Sequence, residues 1–298
     1  MSIAWVFPGQ GSQKIGMADV VMSLPEAEDR FALASKLLQR DLLEICKGNS
    51  QDLGKLGDLN DTRNTQPAMF IIQSLLVDDL KNQGRRPSFV AGHSLGEIAA
   101  LYAAEVFSFQ DALLLLKIRS ELMASAGGGA MTAVMGFDQN QLFHVVKATK
   151  GVVIANDNSS EQVVLSGSPD AVNQVVDQIE CKRSVPLKVS GAFHSPFMLT
   201  PAESFSIELD KVEFNNAIFP VVSNAEPSLS IDANLLKERL RKQMISGVRW
   251  RETMELMTTE SIKTLVEIGP GKVLSGLAKR SLKGISINQI SSSIDLGH

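Results

Sequence analysis

A serine between glycines is one of the few short patterns in this chain that could do covalent chemistry. It stands in Gly92-His93-Ser94-Leu95-Gly96, inside "FVAGHSLGEIAALYAAEV" at 89–106. An apolar run precedes it and an alanine-rich stretch follows. That context predicts a strand-to-helix elbow that exposes the Ser94 hydroxyl at the strand's carboxyl end. The glycines permit the tight backbone, and the helix N-terminus favours negative charge nearby. The plainer alternative is a serine that only caps a helix.

A serine hydroxyl becomes a nucleophile beside a base. The chain has four histidines. His93 adjoins Ser94 and is expected to point away from it at a sharp turn. His144 falls on the polar side of a helix, and His298 is the last residue. His194, in "SGAFHSP", remains as the candidate base. A hydrolase triad needs an acid as well, to orient the ring. Asp111, Asp138, Asp157 and Asp170 lie between Ser94 and His194, but most read as helix caps or turn residues. A Ser94–His194 dyad with the ring held by a backbone carbonyl fits better.

Two other features bear on what the serine would carry. Arg119, in "LLLLKIRSELM", lies on an apolar helix, where an unpaired charge is costly. It is either salt-bridged to an internal carboxylate or a bidentate clamp for a substrate carboxylate. "FPGQGSQKIGM" (7–17) has glycines like a phosphate loop, without the Walker spacing or a full dinucleotide fingerprint. At a strand end such a loop can aim a backbone N–H at a developing oxyanion.

These residues need elements to hold them. "IAWVF" (3–7) and "PSFVAG" (87–92) read as interior strands of a parallel sheet. Helices are predicted at 65–84, with Pro67 in the first turn, and at 108–129, with Ser108 and Asp111 as a capping box. The rhythm then shortens. Strand 130–135, helix 138–149, strands 152–156 and 162–167, helix 168–180 and strand 184–189 give a β-α-β-β-α-β order. The fold class predicted is therefore α/β: a hydrolase-like domain with a central parallel sheet, plus an inserted ferredoxin-like subdomain. The boundaries fall at 1–126 with 196–298 for the large domain and 127–195 for the insert. Helices at 232–244 and 250–260 and a strand at 263–269 return to the large domain, and the tail "SSSIDLGH" is expected to fray.

Composition narrows the function classes. The chain has 298 residues, 44% hydrophobic and 21% charged, with a net charge of −4, ordinary for a soluble protein. No basic block suggests nucleic acid, no apolar run reaches bilayer length, and the N-terminus is no signal peptide. A cytoplasmic protein is expected. Cys46 and Cys181 form no disulfide framework, and the scattered histidines form no metal site.

"FPGQGSQ", "GHSLGE", "LKIRSELM", "GAFHSP", "QMISGVRW" and "VEIGPGKVL", in that order from residue 7 to about 280, resemble the malonyl-CoA:acyl carrier protein transacylase family. The resemblance implies transfer of malonyl from malonyl-CoA to the phosphopantetheine thiol of acyl carrier protein, by a ping-pong route that supplies fatty acid synthesis. Ser94 would be acylated and His194 its base. The backbone N–H groups of Gln10 and Leu95 would form the oxyanion hole, Arg119 would bind the malonyl carboxylate, and the main-chain carbonyl of Gln243 would orient His194. Asn156 and Asn158 match a segment near the pocket. Leu95 and "AFH" resemble malonyl-selective members, while "GAFH" departs from the common "HAFH" in its first residue. No cofactor or metal is implied, and a monomer is expected. Carrier proteins are acidic, so Lys182, Arg183, Lys188, Lys279, Arg280 and Lys283 are candidates for a docking surface. Two rival readings remain: a hydrolase or thioesterase on a related fold, and a non-catalytic carrier-binding module.

Overall fold

The computed structural model describes residues 2–189 and 191–298; Ser190, the first residue of the predicted "SGAFHSP" crossing, lies outside them. The chain opens with β1 (Ile3–Phe7), α1 (Ala27–Leu38), α2 (Leu42–Lys47), α3 (Thr62–Asn82), β2 (Phe89–Gly92), α4 (Gly96–Ala103) and α5 (Phe109–Ser125). The middle part runs β3 (Ala130–Phe137), α6 (Gln139–Ala148), β4 (Val152–Ser159), β5 (Gln162–Gly167), α7 (Pro169–Gln178) and β6 (Cys181–Pro186). It closes with α8 (Leu199–Asp210), β7 (Val221–Val222), β8 (Leu229–Ser230), α9 (Ala233–Lys242), α10 (Trp250–Thr259), β9 (Thr264–Ile268), α11 (Val273–Ser281) and β10 (Ser286–Ile290).

The large sheet has the order β10-β9-β1-β2-β7-β8, parallel except for the β7–β8 pair at its edge. β1 lies in its interior and reads as a continuous apolar run because both faces are covered. Its side chains alternate. Trp5 and Phe7 pack into the core that holds residues of α3, α4 and α5, while Ala4 and Val6 pack with Trp250, Met254 and Leu277 of α10 and α11. Five parallel strands therefore end together, and the loops after β1, β2 and β9 share one rim. Ligands of open α/β sheets sit at such a rim.

The second sheet is antiparallel in the order β4-β5-β3-β6, the ferredoxin-like arrangement of a β-α-β-β-α-β unit. Leu142, Val172 and Val175 of α6 and α7 cover one face. Met131, Ala133 and Val164 on the other face join the large core. The last strand occupies 181–186 and not the expected 184–189. β6 is an edge strand whose exposed Lys182 and Arg183 hide the apolar alternation. Backbone bonds tie this sheet to the large unit: Val248 N–H donates to Ala155 O (2.8 Å) and Asp157 N–H to Val248 O (2.9 Å). Arg251 adds an ion pair with Asp157 at 2.8 Å.

Two other expectations need correction. α3 begins at Thr62, capped by Asp61, so Pro67 stands inside the helix and not in its first turn. Pro67 has no N–H to give the Arg63 carbonyl four residues back. Arg40 Nη2 donates to that carbonyl instead, at 3.1 Å. The tail is docked, not frayed: Ser293 N–H bonds Val20 O at 2.9 Å, Gln83 Nε2 bonds Leu296 O at 2.9 Å, and His298 Nε2 lies 2.9 Å from Asp79 Oδ1. Among the described residues no helix is long and apolar enough to cross a membrane.

Candidate active site

β2 ends at Gly92 and α4 begins at Gly96, so the chain must reverse within three residues. Ser94 turns it with φ of 53°, in the left-handed region, which is costly for a non-glycine residue by about 1–3 kcal/mol. The glycines on either side cannot be replaced without moving backbone. A Cβ on Gly92 would fall 1.9 Å from the Gly96 carbonyl carbon, and one on Gly96 would fall 2.2 Å from Phe7 O.

Hydrogen bonds hold the strained turn. Asn224 Oδ1 accepts from Ser94 N–H at 2.7 Å, and its Nδ2 donates to Gly92 O. Gln243 Nε2 donates to Ser94 O at 2.9 Å and to Glu97 Oε2 at 2.8 Å. Glu97 Oε2 also accepts the Asn224 N–H at 3.1 Å. Sequence reasoning missed Glu97 and Asn224. Glu97 stands in the quoted "GHSLGE", and its place in the first turn of an apolar helix was the available signal. Burial raises its pKa above the ordinary carboxylate value.

Ser94 Oγ lies 2.7 Å from His194 Nε2. The other ring nitrogen, Nδ1, lies 2.9 Å from Gln243 O and 3.2 Å from Ser246 O. Both partners only accept, so Nδ1 carries the hydrogen and Nε2 is left to accept the serine proton. None of the four aspartates approaches this ring: Asp111 meets Ser108, Asp138 and Ser168 (beside Asp170) mark helix starts, and Asp157 meets Arg251. Burial, and next the field of Arg119, lower the His194 pKa to about 3. The imidazole is thus neutral across the physiological range.

Arg119 is 1% exposed and touches Ser94 Oγ at 3.2 Å, Gln66 Oε1 at 2.7 Å and Gln243 Oε1 at 2.9 Å. Among the described residues no carboxylate comes within salt-bridge distance of it, which disposes of the internal salt bridge as its explanation. Glu97 acts on it only from beyond Gln243. Burial lowers its pKa to about 10, so it stays a cation at neutral pH. A guanidinium has five N–H donors. Three are used, and the buried Nε–H and one Nη1 N–H have no partner among the described residues.

These groups line a cavity of about 80 Å³, with Gln10, Leu95, Met123, Met131, Asn156 and Phe193 among its walls. The backbone N–H groups of Gln10 and Leu95 donate to no described residue. Ser94 N–H, by contrast, is occupied by Asn224. Asn156 Oδ1 is buried without a hydrogen-bond partner. Asn158 lies one layer back, its Oδ1 2.8 Å from His93 Nε2. His93 is among the residues that line the cavity, and its ring leans on Trp250 with centroids 5.6 Å apart. It makes no bond to the Ser94 hydroxyl.

The six basic residues separate. α11 starts at the carboxyl end of β9 and runs back, so Lys279 and Arg280 in its last turn, and Lys283 beyond, lie at the opposite end of the sheet from Ser94. Lys182 and Arg183 are exposed on β6. Lys188 is exposed between Leu187 and Val189, both of which line the cavity. Among the described residues no group of His, Cys, Asp or Glu could hold a metal ion.

The fold and the serine–histidine pair define a class, and comparison with known proteins agrees: residues 4–294 match the acyl transferase domain family. A malonyl CoA-acyl carrier protein transacylase of Synechocystis sp. (strain PCC 6803) is 46% identical over 296 residues, 99% of each chain. The crystal structure of the Synechocystis malonyl-CoA:ACP transacylase superposes with TM-score 0.94 over 100% of this chain and 99% of that one, at 46% identity. A type II PKS acyl-carrier protein in complex with its malonyl-transacylase gives TM-score 0.92 at 35% identity, over 99% and 98% of the two chains. The chain belongs to the malonyl-CoA:acyl carrier protein transacylase family within the acyl transferases.

Proposed function

We propose that this chain transfers the malonyl group of malonyl-CoA to the phosphopantetheine thiol of acyl carrier protein, through a malonyl ester on Ser94, and so supplies fatty acid synthesis. The observation that carries the reading is Arg119: a buried cation with two unused N–H donors, 3.2 Å from the Ser94 hydroxyl. An acyl group on Ser94 that ends in a carboxylate would meet it.

In the first half-reaction Ser94 Oγ attacks the thioester carbonyl while its proton passes to His194 Nε2. The tetrahedral oxyanion is stabilised by the N–H groups of Gln10 and Leu95. Its collapse breaks the C–S bond, and CoA leaves with the proton from His194. In the second half the carrier thiol gives its proton to His194 and attacks the ester. Ser94 leaves and recovers that proton. Gln243 O holds the ring in the working tautomer. Asn156 closes the pocket wall, and Asn158 acts on it through His93. The cycle needs only these residues and the two substrates, with no cofactor.

On this reading, steady-state release of CoA from malonyl-CoA should require carrier protein. Rapid, continuous release without it would make the chain a hydrolase. The same reading places the enzyme in the cytoplasm. It divides the chain into a large domain, 1–126 with 196–298, and an insert, 127–195, supported by the two separate sheets.

A further inference from the structure

The three hydrogen bonds of Arg119 do not end at their first partners. Its Nη1 donates to Gln66 Oε1 at 2.7 Å, and Gln66 Nε2 donates to Thr62 Oγ1 at 2.8 Å. Thr62 Oγ1 donates in turn to Gln10 Oε1 at 3.0 Å. The polarity of this chain is set at one end. A guanidinium only donates, which makes Gln66 Oε1 the acceptor and turns its NH₂ toward Thr62. The threonine hydroxyl, already accepting, is left to donate onward. Gln66 and Thr62 are buried, so no bulk water competes for these groups.

Gln10 needs such a hold. It sits in the irregular loop after β1, and the Thr62 hydroxyl is its sole hydrogen-bond partner among the described residues. Gln10 also lines the cavity, its backbone N–H has no partner among the described residues, and the proposed function gives that N–H the oxyanion role. We propose that Thr62 is a positioning residue that ties Arg119 to the backbone N–H of Gln10, so that the carboxylate end and the reacting carbonyl of the acyl donor are held by one hydrogen-bonded unit. The proposal rests on the malonyl-transfer reading above. It touches no substrate atom through Thr62 itself, and it acts on the transition state, where the oxyanion forms.

The test uses Thr62→Val, which keeps the shape and removes the hydroxyl, Thr62→Ser, which restores it, and Gln10→Leu, which cuts the same bond from the other side. Rates are measured with malonyl-CoA and carrier protein, beside the wild type and Arg119→Ala. Misaligning one oxyanion donor, short of removing it, is expected to lower kcat about ten-fold for Thr62→Val and Gln10→Leu, with KM within about two-fold. Thr62→Ser should recover most of the loss. In the Arg119→Ala background, where the unit is already cut, Thr62→Val should lower kcat for acetyl transfer by less than about three-fold. Wild-type kcat in Thr62→Val, failure of Thr62→Ser to rescue, or the full ten-fold loss on top of Arg119→Ala would overturn the proposal. A wild-type protein that transfers no malonyl would instead overturn the reading on which it rests.

Discussion

Replacing Arg119 by alanine removes a cation with three protein partners, and the consequences separate by substrate. A malonyl carboxylate paired with the guanidinium through two charge-assisted hydrogen bonds gains about 1.5–3 kcal/mol from each. Losing both at the low end costs about 3 kcal/mol, or more than about a hundred-fold in kcat/KM for malonyl-CoA. Acetyl-CoA has no carboxylate and should keep its rate within about ten-fold. The field of Arg119 is also the second cause that lowers His194, so its removal raises that pKa and strengthens the base, which works in favour of acetyl transfer. Gln66 Oε1 and Gln243 Oε1 each lose a donor, which costs stability, while a desolvated charge is removed at the same time. The acetyl rate of the same sample controls for this. The assay is kcat/KM for both donors with carrier protein as acceptor. If malonyl and acetyl transfer fall by the same factor, Arg119 is not a carboxylate clamp.

Gly92→Ala should be severely disruptive, because its Cβ would lie 1.9 Å from backbone of Gly96; a melting temperature lowered by several degrees and activity below about a hundredth of wild type are expected, and near-normal activity would contradict the elbow geometry. Acid should destabilise the fold well above the carboxylate range. His194 titrates near 6.5 when unfolded and at about 3 when folded, so below about pH 6.5 the unfolded chain binds a proton that the native chain refuses. His194 should lower stability by about 1.4 kcal/mol per pH unit below about pH 6.5, with buried His93 acting in the same direction and buried Glu97, its pKa raised, opposing both. The test compares urea midpoints of the wild type and His194→Gln at pH 7 and pH 5; a wild type that loses no more stability than the variant would refute it.

Much of this site was legible because its chemistry is concentrated in short runs. The elbow around Ser94 follows from glycines between an apolar strand and a helix, and His194 follows from the scarcity of histidines. Arg119 stood out because a charge on an apolar helix needs a reason. Asn224, Gln66 and Thr62 gave no such signal. Each is an ordinary polar residue in its own segment, and its importance comes from meeting Ser94, Arg119 or Gln10 across 130, 53 and 52 positions. β6 was displaced because an edge strand carries charges where an interior strand carries apolar side chains. Pro67 was misplaced because Arg40, from a distant turn, supplies the hydrogen bond that a proline inside a helix forfeits. The docked tail depends likewise on contacts with α3 that no local pattern records. The far position of Lys279, Arg280 and Lys283 follows from the direction of α11, a property of topology rather than composition.

The most direct test of the account is the intact mass of the protein after brief exposure to malonyl-CoA, followed by addition of carrier protein bearing its phosphopantetheine arm. One malonyl group should appear on the wild type, map to Ser94, be absent from Ser94→Ala, and move to the carrier thiol when the carrier is added. A protein that gains no malonyl group, or one whose malonyl group is lost to water as fast without the carrier as with it, would contradict the account.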